Sequence, residues 1–215
     1  MKYTNIFFDL DGTITDSEDG ILNSIIFSLN KLNLPVPNRE NLRVFIGPPL
    51  IESFQKMFDL SDIEAQQAVI YYREYYETTG MFENKIYQGI VEVLRTLQQS
   101  DCQLYIATSK PEIYAEKILI HFQLASFFQG IYGASLDGIR SQKATVIRYG
   151  LDKAKITTSD KTIMIGDRSH DINGAKENGL ESIGVLYGFG NYEELKTAGA
   201  TYIIEKPQDI TKLVL

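Results

Sequence analysis

Four short apolar runs each end abruptly in a polar or glycine-containing turn, and this repeat limits the fold of the 215-residue chain more than any other feature. Ile6-Phe7-Phe8 runs into Asp9-Leu10-Asp11-Gly12-Thr13, and Leu104-Tyr105-Ile106-Ala107 into Thr108-Ser109-Lys110. Thr162-Ile163-Met164-Ile165 runs into Gly166-Asp167, and Ser182-Ile183-Gly184-Val185-Leu186 into Tyr187-Gly188-Phe189-Gly190. Continuous apolar runs of this kind mark strands buried on both faces. Helical patterns separate them at 90–97, 113–122, 144–149 and 172–178. Strands alternating with helices predict an α/β fold, a parallel sheet with helices on both faces. Such sheets bind ligands outside the carboxyl ends of the strands, where polar residues collect in this chain.

Residues 16–85 break the alternation. Ile21, Leu22, Ile25, Ile26, Leu29 and Leu32 form an apolar stripe at helical spacing, with Asp16 or Ser17 as N-cap and Pro35 and Pro37 as the stop. A short helix over Leu42 to Ile46 is expected to end at Gly47-Pro48-Pro49, followed by helices over 49–58 and 61–79. Ser61 and Glu64 have the spacing of a capping box. The predicted division is therefore a core of residues 1–15 and 86–215 and an inserted helical lobe, a candidate lid, over 16–85. Tyr71, Tyr72, Tyr75 and Tyr76 recur at helical spacing and are read as packing rather than as a ligand-stacking surface.

Composition narrows the class of partner. The net charge of −7 has no basic cluster set against it, which argues against a nucleic acid polymer. No segment approaches the ~20 apolar residues that span a bilayer, and the N-terminus lacks the pattern of a signal peptide. Cys102 is the single cysteine, so no internal disulfide forms, and its apolar neighbours predict burial rather than reactivity. A cytoplasmic location is expected.

Asp9 and Asp11 carry the strongest chemical signal. Two carboxylates two residues apart on extended chain point the same way, and like charges so close call for a cation or a shared proton. Mg²⁺ suits such a site, because it takes carboxylates, water and a substrate phosphate. One acid can then attack phosphorus, and the other can protonate the leaving oxygen and later deprotonate water. Gly12 would let the backbone turn and offer N–H groups to a phosphate. An ordinary Asp-Gly turn with solvated acids uses the same residues. Asp167 and Asp171 supply a second pair, four apart and so on one face if a helix starts there; capping and macrodipole compensation explain such acids equally well. Thr108 and Ser109 offer hydroxyls for a phosphate cradle or for an N-cap before Pro111. Lys143 can stabilise charge on phosphate oxygens and on Asp9, with Lys110 as the competing lysine. His121 is read as a packing residue within its helix, and His170, beside the acids, receives no role. Gly188-Phe189-Gly190 is too short for a dinucleotide signature.

Taken in order, Asp9-Leu10-Asp11-Gly12-Thr13, Thr108-Ser109, Lys143 and Gly166-Asp167-x-x-x-Asp171 resemble the motifs of the haloacid dehalogenase superfamily. The likeness spans essentially the whole chain. It implies a Rossmann-like core with a helical cap domain, Mg²⁺ as cofactor, Asp9 as nucleophile and Asp11 as general acid/base. It implies metal binding by Asp9, the main-chain carbonyl of Asp11, and Asp167, with Asp171 in support. Thr108 would hold the transferring phosphoryl oxygen and Lys143 would bridge it to Asp9, with Gly12 and Ser109 on the substrate side. Asp16-Ser17, Thr108-Ser109-Lys110-Pro111 and Gly166-Asp167-Arg168 look most like the phosphoglycolate phosphatase and 5′-nucleotidase-like branch. In such proteins the turn Ile46-Gly47-Pro48-Pro49 faces the substrate. The implied activity is hydrolysis of a small phosphorylated metabolite. Asp11 argues against a true dehalogenase, since a halide leaves without a proton. A phosphomutase uses the same acid pair and stays open. A receiver-like switch module shares a phosphorylatable Asp, a hydroxyl residue and a Lys, but needs neither a second acid nor a helical lid.

Overall fold

A computed structural model describes residues 1–157 and 161–215. In chain order, β1 (Asn5–Phe8) and β2 (Thr15–Asp16) precede α1 (Glu18–Lys31), α2 (Arg39–Leu42), α3 (Leu50–Phe58) and α4 (Asp62–Tyr76). Then follow β3 (Lys85–Ile86), α5 (Ile90–Gln99), β4 (Gln103–Pro111), α6 (Glu112–His121), β5 (Gly130–Ala134), α7 (Lys143–Ala154) and β6 (Thr162–Gly166). The chain finishes with α8 (Ser169–Glu177), β7 (Glu181–Val185), α9 (Tyr192–Ala198), β8 (Tyr202–Ile204) and α10 (Asp209–Val214). It divides into two compact units, residues 1–16 with 86–215 and residues 17–85.

The first unit is built on a parallel sheet of strand order β5-β4-β1-β6-β7-β8. β1 is the central strand because Ile6, Phe7 and Phe8 are apolar without interruption, and all three are fully buried. Alternation sends Phe7 to one face, where it joins Val146, Ile147 and Leu151 of α7 and Ala175 of α8 in one core cluster. Phe8 pairs with Ile106 of β4 on one side and Ile165 of β6 on the other. The residues that follow these three therefore emerge together at the carboxyl edge, beside the point where the strand order reverses direction. β5 and β8 extend the sheet beyond the four strands expected from apolar runs. Among the described residues no helix is long and apolar enough to cross a membrane.

The second unit is helical. Ile21, Leu22, Ile25 and Leu29 form the buried stripe of α1, and its Glu18 and Asp19 at one end and Lys31 at the other complement the helix dipole. Ser17 occupies the N-cap position, but its hydroxyl accepts no capping bond. The helix ends before Pro35: Leu32 is the C-cap and Asn33 turns left-handed at φ 56°. The predicted helix near Leu42 is split into α2 and a 3-10 turn over Arg43–Phe45. The capping box of Ser61 and Glu64 forms. Tyr72 and Tyr76 are buried and stacked at 5.2 Å, and Tyr75 lies 5.4 Å from Phe27 of α1, so these rings pack helices together.

Candidate active site

Asp9 follows β1 directly, and its N–H still donates to Ile165 O of β6 at 2.8 Å, which locks it into the sheet edge. Gly12 then turns the chain back at φ +82°. A Cβ there would lie 2.2 Å from Asp167 Oδ2, so glycine is required by space as well as by conformation. The Gly12 N–H donates to Thr15 O at 2.8 Å and so closes the turn.

The second acid pair arrives from β6. Asp167 is the first residue beyond that strand and Asp171 sits in the first turn of α8. Since α8 starts at Ser169, the two acids do not share a helix face as their spacing suggested; the turn between them folds Asp171 back instead. Arg168 N–H donates to Asp171 Oδ2 at 3.0 Å, and Phe189 N–H donates to Asp167 Oδ2 at 2.8 Å. Carboxylate oxygens of Asp9, Asp167 and Asp171 all lie within 4.8 Å of one another, and all three residues are buried. Asp11 stands outside this trio.

The two lysines separate cleanly. Lys143, the first residue of α7, is 2.8 Å from Asp9 Oδ1 and 2.8 Å from Asp171 Oδ1, and it donates to Ala107 O at 3.1 Å. Lys110 pairs with Asp11 Oδ2 at 2.9 Å. Thr108 is buried and Ser109 half-buried, both within β4 where its register with β5 shifts between Ala107 and Pro111. They are strand residues rather than caps, since α6 begins only at Glu112. His170 is half-buried next to Asp171, while His121 is exposed at the last residue of α6 rather than packed within it.

The electrostatics of the trio are unbalanced. Burial pushes the Asp9 carboxyl up to about 6 despite the opposing pull of Lys143. Burial, followed by the carboxylates of Asp171 and Asp9, raises Asp167 well above the usual range. Burial also works on Asp171, but Lys143 and then His170 outweigh it and hold that carboxyl low. With all three ionised, the buried carboxylates outnumber the Lys143 ammonium by two negative charges; burial and this excess are what the raised carboxyls of Asp9 and Asp167 reflect. Asp11 Oδ1 and Asp167 Oδ1 are buried without a hydrogen-bond partner. An all-oxygen donor set, a deficit of two charges and orphaned carboxylate oxygens fit a hard divalent cation. Together these groups can present a carboxylate to an electrophile while charge on that electrophile is neutralised.

Two contributors carried no sequence signal: Phe189 acts through its backbone, and Glu194 of α9, which contacts Arg168 and Ser169, lies far along the chain. The glycines of Gly188-Phe189-Gly190 serve a close approach to Asp167: an added Cβ would lie 2.4 Å from Asp167 Cβ at Gly188 and 1.9 Å from the Asp167 carbonyl oxygen at Gly190.

Comparison with known proteins bears on this arrangement. A family profile described as haloacid dehalogenase-like hydrolase matches residues 6–185. A 5′-nucleotidase of Pseudomonas aeruginosa is 43% identical over 202 residues, covering 94% of this chain and 91% of that protein. The tyrosine-protein kinase PtkA of Mycobacterium tuberculosis is 35% identical over 198 residues, covering 92% of this chain and 67% of that protein. A crystal structure of a predicted phosphatase from Clostridium acetobutylicum superposes with a TM-score of 0.93 at 47% identity, covering 100% of this chain and 99% of the other. The chain belongs to the haloacid dehalogenase-like hydrolase family.

Proposed function

We propose that the protein is a Mg²⁺-dependent phosphatase that hydrolyses a small phosphomonoester through a phosphorylated Asp9. The observation that carries this reading is the Asp9 carboxylate, buried at the end of the central strand and tied through Oδ1 to Lys143 in company with Asp167 and Asp171. Asp9 and Asp167, with the main-chain carbonyl of Asp11 and with Asp171 in support, would hold Mg²⁺. When bound, the ion neutralises charge on the phosphoryl oxygens.

Lys143 and the Leu10 N–H engage Asp9 Oδ1, the latter at 2.8 Å, which orients the carboxylate and leaves Oδ2 to attack phosphorus. The ester oxygen departs with a proton from Asp11, which Lys110 holds in place at 2.9 Å. Asp11 then takes a proton from water as that water attacks the aspartyl-phosphate, releasing phosphate and restoring Asp9. Thr108 and Ser109 steady the phosphoryl oxygens, and Gly12 lets the chain turn at the end of β1. The inserted helical unit serves as the cap domain, and the protein works on free metabolites in the cytoplasm.

The relatives named as a 5′-nucleotidase and as a tyrosine kinase support nucleoside monophosphates as the first substrates to try and keep transfer to an acceptor other than water as a second reading. A phosphate-release screen with Mg²⁺ over nucleoside monophosphates, phosphoglycolate and sugar phosphates tests the proposal. Turnover is expected for at least one class, abolished reversibly by chelation and lost in Asp9→Asn. Transfer of the phosphoryl group to a sugar or tyrosine hydroxyl without phosphate release would favour the second reading.

A further inference from the structure

The stretch 188–194 takes no part in the chemistry above, yet three of its groups close on the turn that carries the second acid pair. Phe189 N–H donates to Asp167 Oδ2 at 2.8 Å. Gly190 presses on the same residue so tightly that a Cβ would lie 1.9 Å from the Asp167 carbonyl oxygen. Glu194 Oε1 accepts from Ser169 N–H at 2.8 Å and from Arg168 Nε at 3.0 Å. Glu194 is itself fixed by Asn191, whose Oδ1 accepts from Glu194 N–H at 3.0 Å.

Arg168 and Ser169 are two of the residues that join Asp167 to Asp171, and Arg168 N–H donates to Asp171 Oδ2 at 3.0 Å. A displacement of this pair therefore moves both acids. Partial burial raises the Glu194 carboxyl, but the Ser169 N–H and the Arg168 guanidinium outweigh it and hold it below the ordinary range. The contact is thus charge-assisted on both sides.

We propose that Glu194 is a positioning residue for the divalent cation, pinning Arg168 and Ser169 so that Asp167 and Asp171 meet Asp9. This rests on the metal reading given above. Groups that orient carboxylate ligands without touching the metal typically contribute 10- to 100-fold to its affinity. A clip that only joined α8 to α9 would change stability and leave affinity alone.

Calorimetric titration of the metal-free protein with MgCl₂ separates the two. Glu194→Ala is expected to weaken Mg²⁺ binding about 10-fold or more. Glu194→Gln keeps an acceptor oxygen without its charge and should weaken binding by roughly 3-fold or more. Glu193→Ala, exposed on the same helix, should bind as the wild type does. If Glu194→Ala fails to fold, Glu194→Gln carries the test. Wild-type affinity in the folded Glu194 variants, whatever their melting temperature, overturns the assignment. A wild-type protein that takes no Mg²⁺ is a separate failure, that of the metal reading itself.

Discussion

Lys143→Met deletes the ammonium and keeps most of the stem, so it removes the cation that bridges Asp9 and Asp171 and offsets their mutual repulsion. The Lys143 side chain is 2% exposed and 2.8 Å from each carboxylate. Two unit charges at that distance attract by roughly 6 kcal/mol at an effective dielectric of about 20. Measured losses on breaking a buried pair are about 3–5 kcal/mol, because the remaining charge is stranded. Asp9 already titrates at about 6 and can take up a proton once Lys143 is gone, which recovers part of the loss. We therefore expect the lower end, about 3 kcal/mol at pH 7. For a chain of this size that lowers the melting midpoint by roughly 6–12 °C. The assay is thermal unfolding in chelator of the wild type, Lys143→Met, Asp171→Asn and the double variant. The double variant should be less destabilised than the sum of the singles by at least about 1 kcal/mol, since it removes a charge together with its partner. A Lys143→Met loss below about 1 kcal/mol with additive singles would refute the buried ion network.

Three further outcomes follow from neighbouring geometry. Gly12→Ala should cost about 1–3 kcal/mol, read by urea unfolding, because alanine must adopt φ +82° and displace the Asp167 carboxylate from a Cβ 2.2 Å away. Lys110→Met, which frees Asp11 from its ion pair, should lower kcat by roughly 10²-fold for alkyl phosphates and much less for aryl phosphates, whose leaving groups need little proton assistance. Cys102 is 4% exposed and burial raises its thiol, so at pH 8 it should resist thiol reagents in the folded protein and react stoichiometrically in denaturant.

How much of this was legible from residues alone depends on where the signal resides. β1, β4, β6 and β7 announce themselves because strands buried on both faces are made largely of consecutive apolar residues. β5 does not show in the sequence: Gly130 and Gly133 interrupt its apolar pattern, and three of its five residues are only partly buried. β8 has three residues at the sheet edge, too short to show a period. The acids at the strand ends were recognisable by type, because carboxylates after apolar runs are costly without a purpose. Their mode of convergence was not. Asp167 and Asp171 come together through a tight turn rather than a helical face, and that turn is held by Phe189 N–H and Glu194, groups whose role exists only after folding. Lys143 stands on Asp9, as its place in the ordered motifs implies, whereas the pairing of the competing Lys110 with Asp11 becomes visible only in the fold.

The most direct test is to catch the phosphorylated carboxylate. Enzyme mixed with a turned-over substrate and Mg²⁺, quenched within one turnover and reduced with borohydride, should yield homoserine at position 9 by peptide mass spectrometry. The same treatment of Asp9→Asn should yield none. Reduction at another acid, or wild-type turnover by Asp9→Asn, would contradict the assignment of Asp9 as the nucleophile.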